Sequence, residues 1–318
     1  MKLRSHILAT ALLATLSTAY AGETGKGAVL EEPAPVANPF DAAIRPITSP
    51  TLFDLAVPRT QAHALFMYQN HPGRLRTTLG DLPVGGDLQV YALQLELALS
   101  ERFSLVAAKD GYIDFKPDAT LSKESGWANI SAGFKYAFLY NPEDALAAAL
   151  NLQIEAPIGN TRVWQGEGDG VAIPSVSMVK LWDRLQFAHN LGFKIPFDNG
   201  AESTSLHYSV HFSYAVTEKF SPLVELNYFR VLDEGNGGRR FNDQVNGLVP
   251  AVATFEGGDL INFGASNVSN KDLVTLGLGF RYRLTDNLDL GAAYEFPLTD
   301  EEENLMRNRI TIDAVIRF

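Results

Sequence analysis

The chain has 318 residues, a formal net charge of -11 and no cysteine. An acidic balance without a basic stripe argues against nucleic-acid binding, and the lack of cysteine excludes both disulfides and a lipid-modified cysteine anchor. A hydrophobic content of 46% suits a folded core but is too low for a bundle of membrane-spanning helices.

The first 21 residues predict a cleavable signal peptide. Lys2 and Arg4 precede an apolar run over 7–16, and Ala19 and Ala21 have the small-x-small spacing of a signal peptidase site. We therefore expect an exported protein. No later stretch reaches the roughly 18 uninterrupted apolar residues of a spanning helix.

Residues 22–60 are rich in proline and show little periodicity. Two interpretations remain open for this segment. It is either an extended, disordered periplasmic lead-in or a plug folded into a barrel lumen, where the stretch "LFDLAVP" from Leu52 could pack. The segment is too short for a separate globular domain or a secreted passenger.

Residues 61–318 contain a repeated pattern in which apolar and polar residues alternate with a period of two, which predicts β-strands. Twelve such runs can be traced: 61–69, 88–99, 103–113, 127–140, 146–157, 171–181, 185–196, 205–216, 220–231, 273–284, 288–297 and 308–318. An even number of antiparallel strands places both ends of the chain on the same side of the sheet.

Tight turns and long polar connections follow one another along these runs. The tight turns read "SERFSL", "NPEDAL", "WDRLQF", "TEKFSP" and "TDNLDL", whereas the longest connection covers 233–271. This alternation is typical of outer-membrane barrels, which have short periplasmic turns and long extracellular loops. A soluble β-sandwich is the alternative. We also expect the apolar parts of 233–271 to fold into the mouth and narrow it.

Aromatic residues cluster beside the tight turns and at the C-terminus, where a barrel would place a girdle at one membrane interface. They are Phe103, Phe138, Tyr140, Tyr214, Phe220, Tyr282 and Phe318. The last strand, "RITIDAVIRF", ends on one of them.

These features together resemble the outer-membrane β-barrel proteins of Gram-negative bacteria, and "LTDNLDLGAAYEFPL" is similar to a phenol-degradation-associated group of outer-membrane transporters. The resemblance implies an all-β fold, a closed antiparallel transmembrane β-barrel of about 12 strands. It also implies an outer-membrane location among lipids and lipopolysaccharide, and recognition of Phe318 by the barrel-assembly machinery.

Charged residues on the inward faces are the candidates for lumen and selectivity functions. They are Arg281, Arg283, Arg309, Arg317, Glu295, Asp313, Glu155, Lys194 and Glu225, with Glu96, Asp110, Lys135 and Asp289 in addition. One interpretation is a salt-bridged interior of the kind that any such barrel needs. The other is a constriction that sorts solutes, with the arginine-rich last strands as an anion-attracting wall.

His207 and His211 share the inward face of one strand, and the predicted register sets His211 opposite Glu225 and Ser209 opposite Asn227. A polar ladder is the simpler interpretation, and a metal or hydrolase site is the alternative. We predict no metal and no cofactor. Two acidic outer stretches, "GEGDG" from Gly166 and "DEEEN" from Asp300, could bind cations that bridge lipopolysaccharide, although solvated charge is the default explanation.

A lipid-modifying hydrolase would need serine, histidine and an acid together on the lipid-facing surface. The outward His189 has only apolar residues around it in the predicted register. The sequence therefore favours a non-enzymatic channel that passes small solutes passively through a charged lumen. The hydrolase and a structural or adhesive barrel with a filled lumen remain the alternatives.

Overall fold

The computed structural model describes residues 38–78, 80–235 and 269–318. The predicted signal peptide and most of the loop 233–271, with its expected role in narrowing the mouth, lie outside these ranges. Among the described residues, no helix is long and apolar enough to cross a membrane.

Sixteen strands make up the described part of the chain. Their bounds are β1 Gln61–Asn70, β2 Arg74–Thr77, β3 Gly80–Pro83, β4 Asp87–Ser100, β5 Phe103–Lys109, β6 Tyr112–Lys116, β7 Glu124–Trp127, β8 Ile130–Asn141, β9 Leu146–Ala156, β10 Val171–Trp182, β11 Leu185–Pro196, β12 Thr204–Tyr214, β13 Phe220–Asp233, β14 Asp272–Thr285, β15 Leu288–Pro297 and β16 Asn308–Arg317. Short 3₁₀ helices occupy Pro39–Ala42, Thr161–Val163 and Glu301–Glu303.

The main sheet closes on itself. β1 pairs with β16 on one side and with β4 on the other, and all neighbours are antiparallel. Fourteen strands belong to this sheet, but β5 and β6 are two parts of one barrel strand, as are β7 and β8. The predicted closed barrel of twelve strands is therefore confirmed, with β2 and β3 as a separate hairpin.

The two faces of the wall are opposite in character to those of a soluble sandwich. On β12, His207, Ser209 and His211 are buried inside, whereas Tyr208 and Phe212 are 36% and 48% exposed on the outer face. A charged side chain facing lipid at mid-depth costs roughly 2–4 kcal/mol, which explains why polar residues point inward. The sandwich alternative is therefore wrong.

All five tight turns lie at one end of the barrel, here called the short-turn end, and the long connections lie at the long-loop end. Most of the predicted aromatic girdle is exposed at the short-turn end, including Phe138, Tyr214 and Phe318. Tyr140 is a correction to this prediction. A bulge between Ala137 and Leu139 changes which residues face outward, so the Tyr140 ring packs on Phe40 with ring centroids 5.0 Å apart.

The ladder of strand pairs is interrupted beside β4, and this interruption is here called the break in the wall. Residues 92–94 of β4 pair with β1 but not with β5 or β6, because β5 ends at Lys109 and β6 begins at Tyr112. Asp110 fills part of the break by accepting a hydrogen bond from Leu93 N at 3.0 Å. Gly111 has φ +127°, a conformation that side chains rarely adopt.

Candidate functional site

Residues 38–60, here called the lumenal segment, lie inside the barrel. Every residue from Ala43 to Pro50 is buried, and Phe40, Phe53 and Leu55 pack in an apolar cluster against the small wall residues. The described part of the proline-rich segment is thus folded inside the barrel. Its apolar side chains and main-chain groups find partners inside the barrel, which offsets the entropy lost by ordering them.

Wall side chains hold this segment largely through hydrogen bonds to the main chain of the segment. Gln186 on β11 accepts from Ile44 N and donates to Ile44 O, both at 2.8 Å. Glu225 on β13 accepts from Ile47 N at 3.0 Å, from Thr48 N at 2.7 Å and from the Thr48 hydroxyl at 2.5 Å. These contacts satisfy buried N–H and C=O groups that no strand pairing reaches.

Arg281 on β14 completes the hold on the segment. Its guanidinium donates to Arg45 O at 2.9 Å and to Pro46 O at 3.2 Å, so wall side chains reach the main chain of each residue from 44 to 48. Arg59, near the end of the segment, donates to the carbonyls of Phe40 and Ala43. The two arms of the segment are therefore tied together next to the short-turn end.

Each of the four arginines predicted to form an anion-attracting wall has a carboxylate partner. Arg281 pairs with Asp313, Arg309 pairs with Glu295 at 2.5 Å, and both Arg283 and Arg317 pair with Asp289. Arg281 and Arg309 are also buried. The Arg281 and Arg309 pairs have the form of a salt-bridged interior, whereas Arg283 and Arg317 share one carboxylate and are partly exposed.

A second group of buried charges joins the segment to the opposite side of the wall. Lys135 on β8 lies between Asp54 and Glu96, and Asp54 also pairs with Arg45 at 3.0 Å. Lys135 and Glu96 are among the inward charges predicted from the strand pattern, whereas Asp54 lies outside the strands, where that pattern assigns no partners.

The histidine ladder has the predicted register. His211 lies opposite Glu225, with Nδ1 2.7 Å from Glu225 Oε1, and the Ser209 hydroxyl donates to Asn227 Oδ1 at 2.7 Å. His207 Nε2 lies 3.1 Å from Asn190 Oδ1. No group of three or more metal-ligating residues occurs in the described ranges. The arrangement is a polar ladder, with Glu225 shared between His211 and the lumenal segment.

His63 on β1 belongs to the same buried network, although the sequence analysis did not select it. Its Nε2 lies 2.7 Å from Asp313 Oδ2 and its Nδ1 lies 2.8 Å from Gln94 Oε1. The signal was available, because His63 falls on the inward positions of β1 together with Gln61 and Leu65.

An enclosed cavity of about 80 Å³ lies between the lumenal segment and the outer loops. Its lining is mostly apolar, and the apolar part includes Leu52, Leu65, Met67, Val90, Ala92, Ile113, Ala128, Ile173 and Phe229. The polar part includes Lys109, Glu155 and Lys194, of which Lys109 pairs with Glu155 at 2.5 Å. The cavity reaches the break in the wall through Ala92, Lys109 and Asp110.

Outer residues close this cavity from above. Trp164 and Leu305, from two different connections, join the apolar cluster of Leu88, Val90, Ile113 and Phe115. Such an apolar interior near the long-loop end is unlike the polar lumen that open porins have. Only the tertiary structure brings Trp164 and Leu305 over this part of the wall.

The carboxylates of one predicted acidic outer stretch have arginine partners. Carboxylates of the "DEEEN" stretch pair with arginines of the β2–β3 hairpin, with Arg76 2.8 Å from Asp300 and Arg74 2.7 Å from Glu302. These pairs leave less negative charge for cations than the sequence suggests. In the connection after β11, burial raises the pKa of Glu202 to about 7, although Lys194 opposes the shift.

The outward His189 has no catalytic neighbours among the described residues. Its register partners are Met178 and Val210, and its ring lies near Phe187 and Tyr208. A serine, a histidine and an acid on the lipid-facing surface are what the hydrolase alternative needs. The surroundings of His189 do not provide them.

Comparison with solved structures supports the fold. An outer membrane channel from Pseudomonas putida F1 matches with a TM-score of 0.59 and 12% identity, over 87% of this chain and 100% of that one. The NanC porin matches with a TM-score of 0.49 and 7% identity, over 81% and 100% of the two chains. The KdgM porin in complex with disordered oligogalacturonate matches at 0.45 and 10%, over 81% and 99%. No curated protein matches the sequence.

A family model gives the relationship at the level of sequence. The model described as "Putative MetA-pathway of phenol degradation" matches residues 69–268, which is more than half of the chain. The family match and the closed barrel both indicate an outer-membrane β-barrel protein. The chain belongs to this family and is an outer-membrane β-barrel protein of the phenol-degradation-associated group.

Proposed function

We propose that the protein is a passive outer-membrane transporter for small, mostly apolar solutes, which bind in the enclosed cavity during passage. The observation that carries this proposal is the cavity itself, whose exposed surface is mostly apolar although half of its twenty lining residues are polar or charged. Small-molecule sites are commonly concave, mostly apolar and equipped with a small number of polar groups.

The charged lumen favours this solute class over hydrophilic ones. Its arginines and carboxylates are paired with each other, and the lumenal segment covers them. A hydrated ion would need both space and unpaired polar groups along the way. We therefore expect only a small ionic current through the resting protein.

The family and the matched structures agree with transport. The family description refers to phenol degradation, and one matched structure is called an outer membrane channel. Aromatic molecules of about the size of phenol are therefore the first solutes to test. The short-turn end would face the periplasm and the long-loop end the outside, as in other outer-membrane barrels.

The break in the wall offers a second exit from the cavity. Ala92, Lys109 and Asp110 line both the cavity and the break. Residues 92–94 of β4 pair with β1 but have no strand partner on the side of β5 and β6. An apolar solute could leave sideways into lipid through such an opening. The alternative route runs along the barrel axis to the short-turn end, past the lumenal segment.

The test compares two variants of neighbouring residues on β4. Ala92→Trp places a large side chain in the cavity, whereas Leu93→Trp places it on the lipid face, where Leu93 is 48% exposed. Uptake of radiolabelled phenol and naphthalene is measured in cells that lack other routes. We expect Ala92→Trp to lower uptake and Leu93→Trp to leave it unchanged. Equal uptake by cells with and without the protein would contradict the proposal.

Planar-bilayer recordings of the purified protein complete this test. We expect small or rare current steps, because the lumenal segment fills the short-turn half of the lumen. Large, steady ohmic steps would instead favour an open pore for hydrophilic solutes.

A further inference from the structure

The lumenal segment enters and leaves the barrel at the same end. Asn38, Phe40 and Asp41 from its start and Val57 to Thr60 from its end line one recess of about 670 Å³ at the short-turn end, with Ser100 and Asp286 beside them. The turn at Ser49 to Phe53 is the deepest part of the segment. A loop inserted in this way can withdraw without threading the chain through the barrel.

Withdrawal of the segment from the lumen breaks no strand pair of the sheet. None of the strand pairs described for the barrel involves residues 38–60, since β1 begins at Gln61 and pairs with β4 and β16. Apart from Thr60, which accepts hydrogen bonds from Phe318 N and Ala98 N, the wall holds the segment by side-chain hydrogen bonds and by the apolar cluster around Phe40 and Phe53. Withdrawal of the segment therefore exchanges these contacts for water and leaves the barrel ladder in place.

Several buried ion pairs join two wall residues or two segment residues, so withdrawal of the segment leaves them intact. Glu225 keeps His211 at 2.7 Å, Arg281 keeps Asp313, and Lys135 keeps Glu96 at 2.8 Å, all within the wall. In the segment, Arg45 keeps Asp54 at 3.0 Å. Each of these charges therefore keeps a partner when the segment withdraws. A buried ion pair is costly to break because it leaves one charge without a partner.

We propose that the lumenal segment is a gate for the axial route, and that Glu225 and Arg281 are the positioning residues that latch it shut. Glu225 holds the N–H groups of Ile47 and Thr48, and Arg281 holds the carbonyls of Arg45 and Pro46. This inference rests on the proposed transport function for its consequence, but the movement of the segment can be measured separately.

A reversible lock provides the first experiment. A Cβ built at Gly277 on β14 lies 3.6 Å from Thr48 Cβ, which is within the range of disulfide-bonded cysteines, and the chain has no cysteine of its own. The double variant Thr48→Cys/Gly277→Cys should therefore form a disulfide between gate and wall. The two single variants, treated with the same oxidant and reductant, are the controls.

We expect the oxidised double variant to lose transport of phenol and naphthalene, and reduction to restore it. The single variants should respond to neither treatment. Equal transport by the oxidised and reduced double variant, in a protein that does transport, would overturn the gate and leave the transport function standing, with the break in the wall as the route.

Labelling of the segment tests the latch without relying on transport. Thr48 is fully buried, so a water-soluble maleimide reaches Thr48→Cys only when the segment moves. Adding Glu225→Gln should raise the labelling rate roughly tenfold, because Glu225 makes charge-assisted hydrogen bonds to the segment. Glu295→Gln is the matched control, since the described hydrogen bonds of this buried wall carboxylate go to Asn227, Thr275 and Arg309.

The two experiments separate the two ideas. If no form transports solute, the proposed function fails, and the labelling rates alone decide about the gate. Equal rates with Glu225→Gln and Glu295→Gln, in variants that keep the heat-modifiable mobility of a folded barrel, would overturn the latch. A selective increase with Glu225→Gln would support it.

Discussion

Lys135 Nζ lies 2.7 Å from Asp54 Oδ2 and 2.8 Å from Glu96 Oε1, with none of its side chain exposed. One cation from the wall therefore joins the lumenal segment to strand β4. The relationship connects residues that are far apart in sequence, and it shows how strongly the inner charges depend on one another.

Replacing Lys135 with methionine should destabilise the barrel. Glu96 would then be buried without this cation, whereas Asp54 keeps Arg45 at 3.0 Å. Breaking a buried ion pair by removing one partner typically costs about 3–5 kcal/mol. The free energy of unfolding in urea, measured in lipid vesicles, checks this value. Lys123→Met in an exposed loop is the control and should change stability by less than about 0.5 kcal/mol. A similar small change for Lys135→Met would show that the carboxylates find other partners.

Gly277 should be intolerant of a side chain as long as Thr48 stands opposite. A Cβ at Gly277 would lie 2.6 Å from Thr48 Cγ2, closer than carbon atoms can approach. We expect Gly277→Ala to lower the free energy of unfolding by about 1–3 kcal/mol, the usual cost of overpacking.

The second half of this prediction is a rescue. Thr48→Ser removes the methyl group and keeps the hydroxyl that donates to Glu225, so the double variant Gly277→Ala/Thr48→Ser should regain part of the loss. Gly73→Ala is the control, because a Cβ at Gly73 meets nothing within 4 Å. Additive losses in the double variant would argue against a direct contact.

Stability should depend on pH through Glu202. Burial raises its pKa from 4.5 to about 7, so the folded protein holds a proton there that the unfolded chain has lost. Folding stability should then fall as the pH rises from about 4.5 through about 7, by at most roughly 3 kcal/mol. Unfolding of wild type and Glu202→Gln at pH 5 and pH 8 checks this. The variant should lose less stability across that range, whereas Glu101→Gln, an exposed residue at the other end, should behave as wild type.

Removing Phe318 should affect assembly more than stability. Its side chain is 83% exposed and its main-chain N–H donates to Thr60 O at 3.0 Å, so it contributes little packing. We expect deletion of Phe318 to lower the amount of folded barrel in the outer membrane, while refolding of the purified chain in detergent stays near normal. Phe138→Ala, which removes another exposed aromatic residue of the girdle, is the control. Equal membrane levels for wild type and the deletion would contradict a role in assembly.

The sequence by itself determined the class of fold, because a barrel wall has one lipid face and one lumenal face. The period of two placed Glu225, Arg281 and Asp313 inside and Tyr208 and Phe212 outside, and the tight turns fixed the register of neighbouring strands. The alternation of short and long connections gave the number of barrel strands. These features depend on residues close together in the chain, so local patterns suffice to find them.

Only the tertiary structure decided what fills the lumen. The contacts of Ile47 with Glu225 and of Arg45 with Arg281 cross 178 and 236 positions in sequence, and no local pattern links such residues. Alternation tells which way Arg281, Arg309 and Arg317 point, but not that Asp313, Glu295 and Asp289 neutralise them. Gly277 and Gly291 lie on the inner wall against the segment, since a Cβ at Gly277 would lie 2.6 Å from Thr48 Cγ2 and a Cβ at Gly291 would lie 2.9 Å from Ile47 Cδ1. Where a chain folds back into its own barrel, the partners are set by the closed shape, and that shape exists only after all the strands have paired.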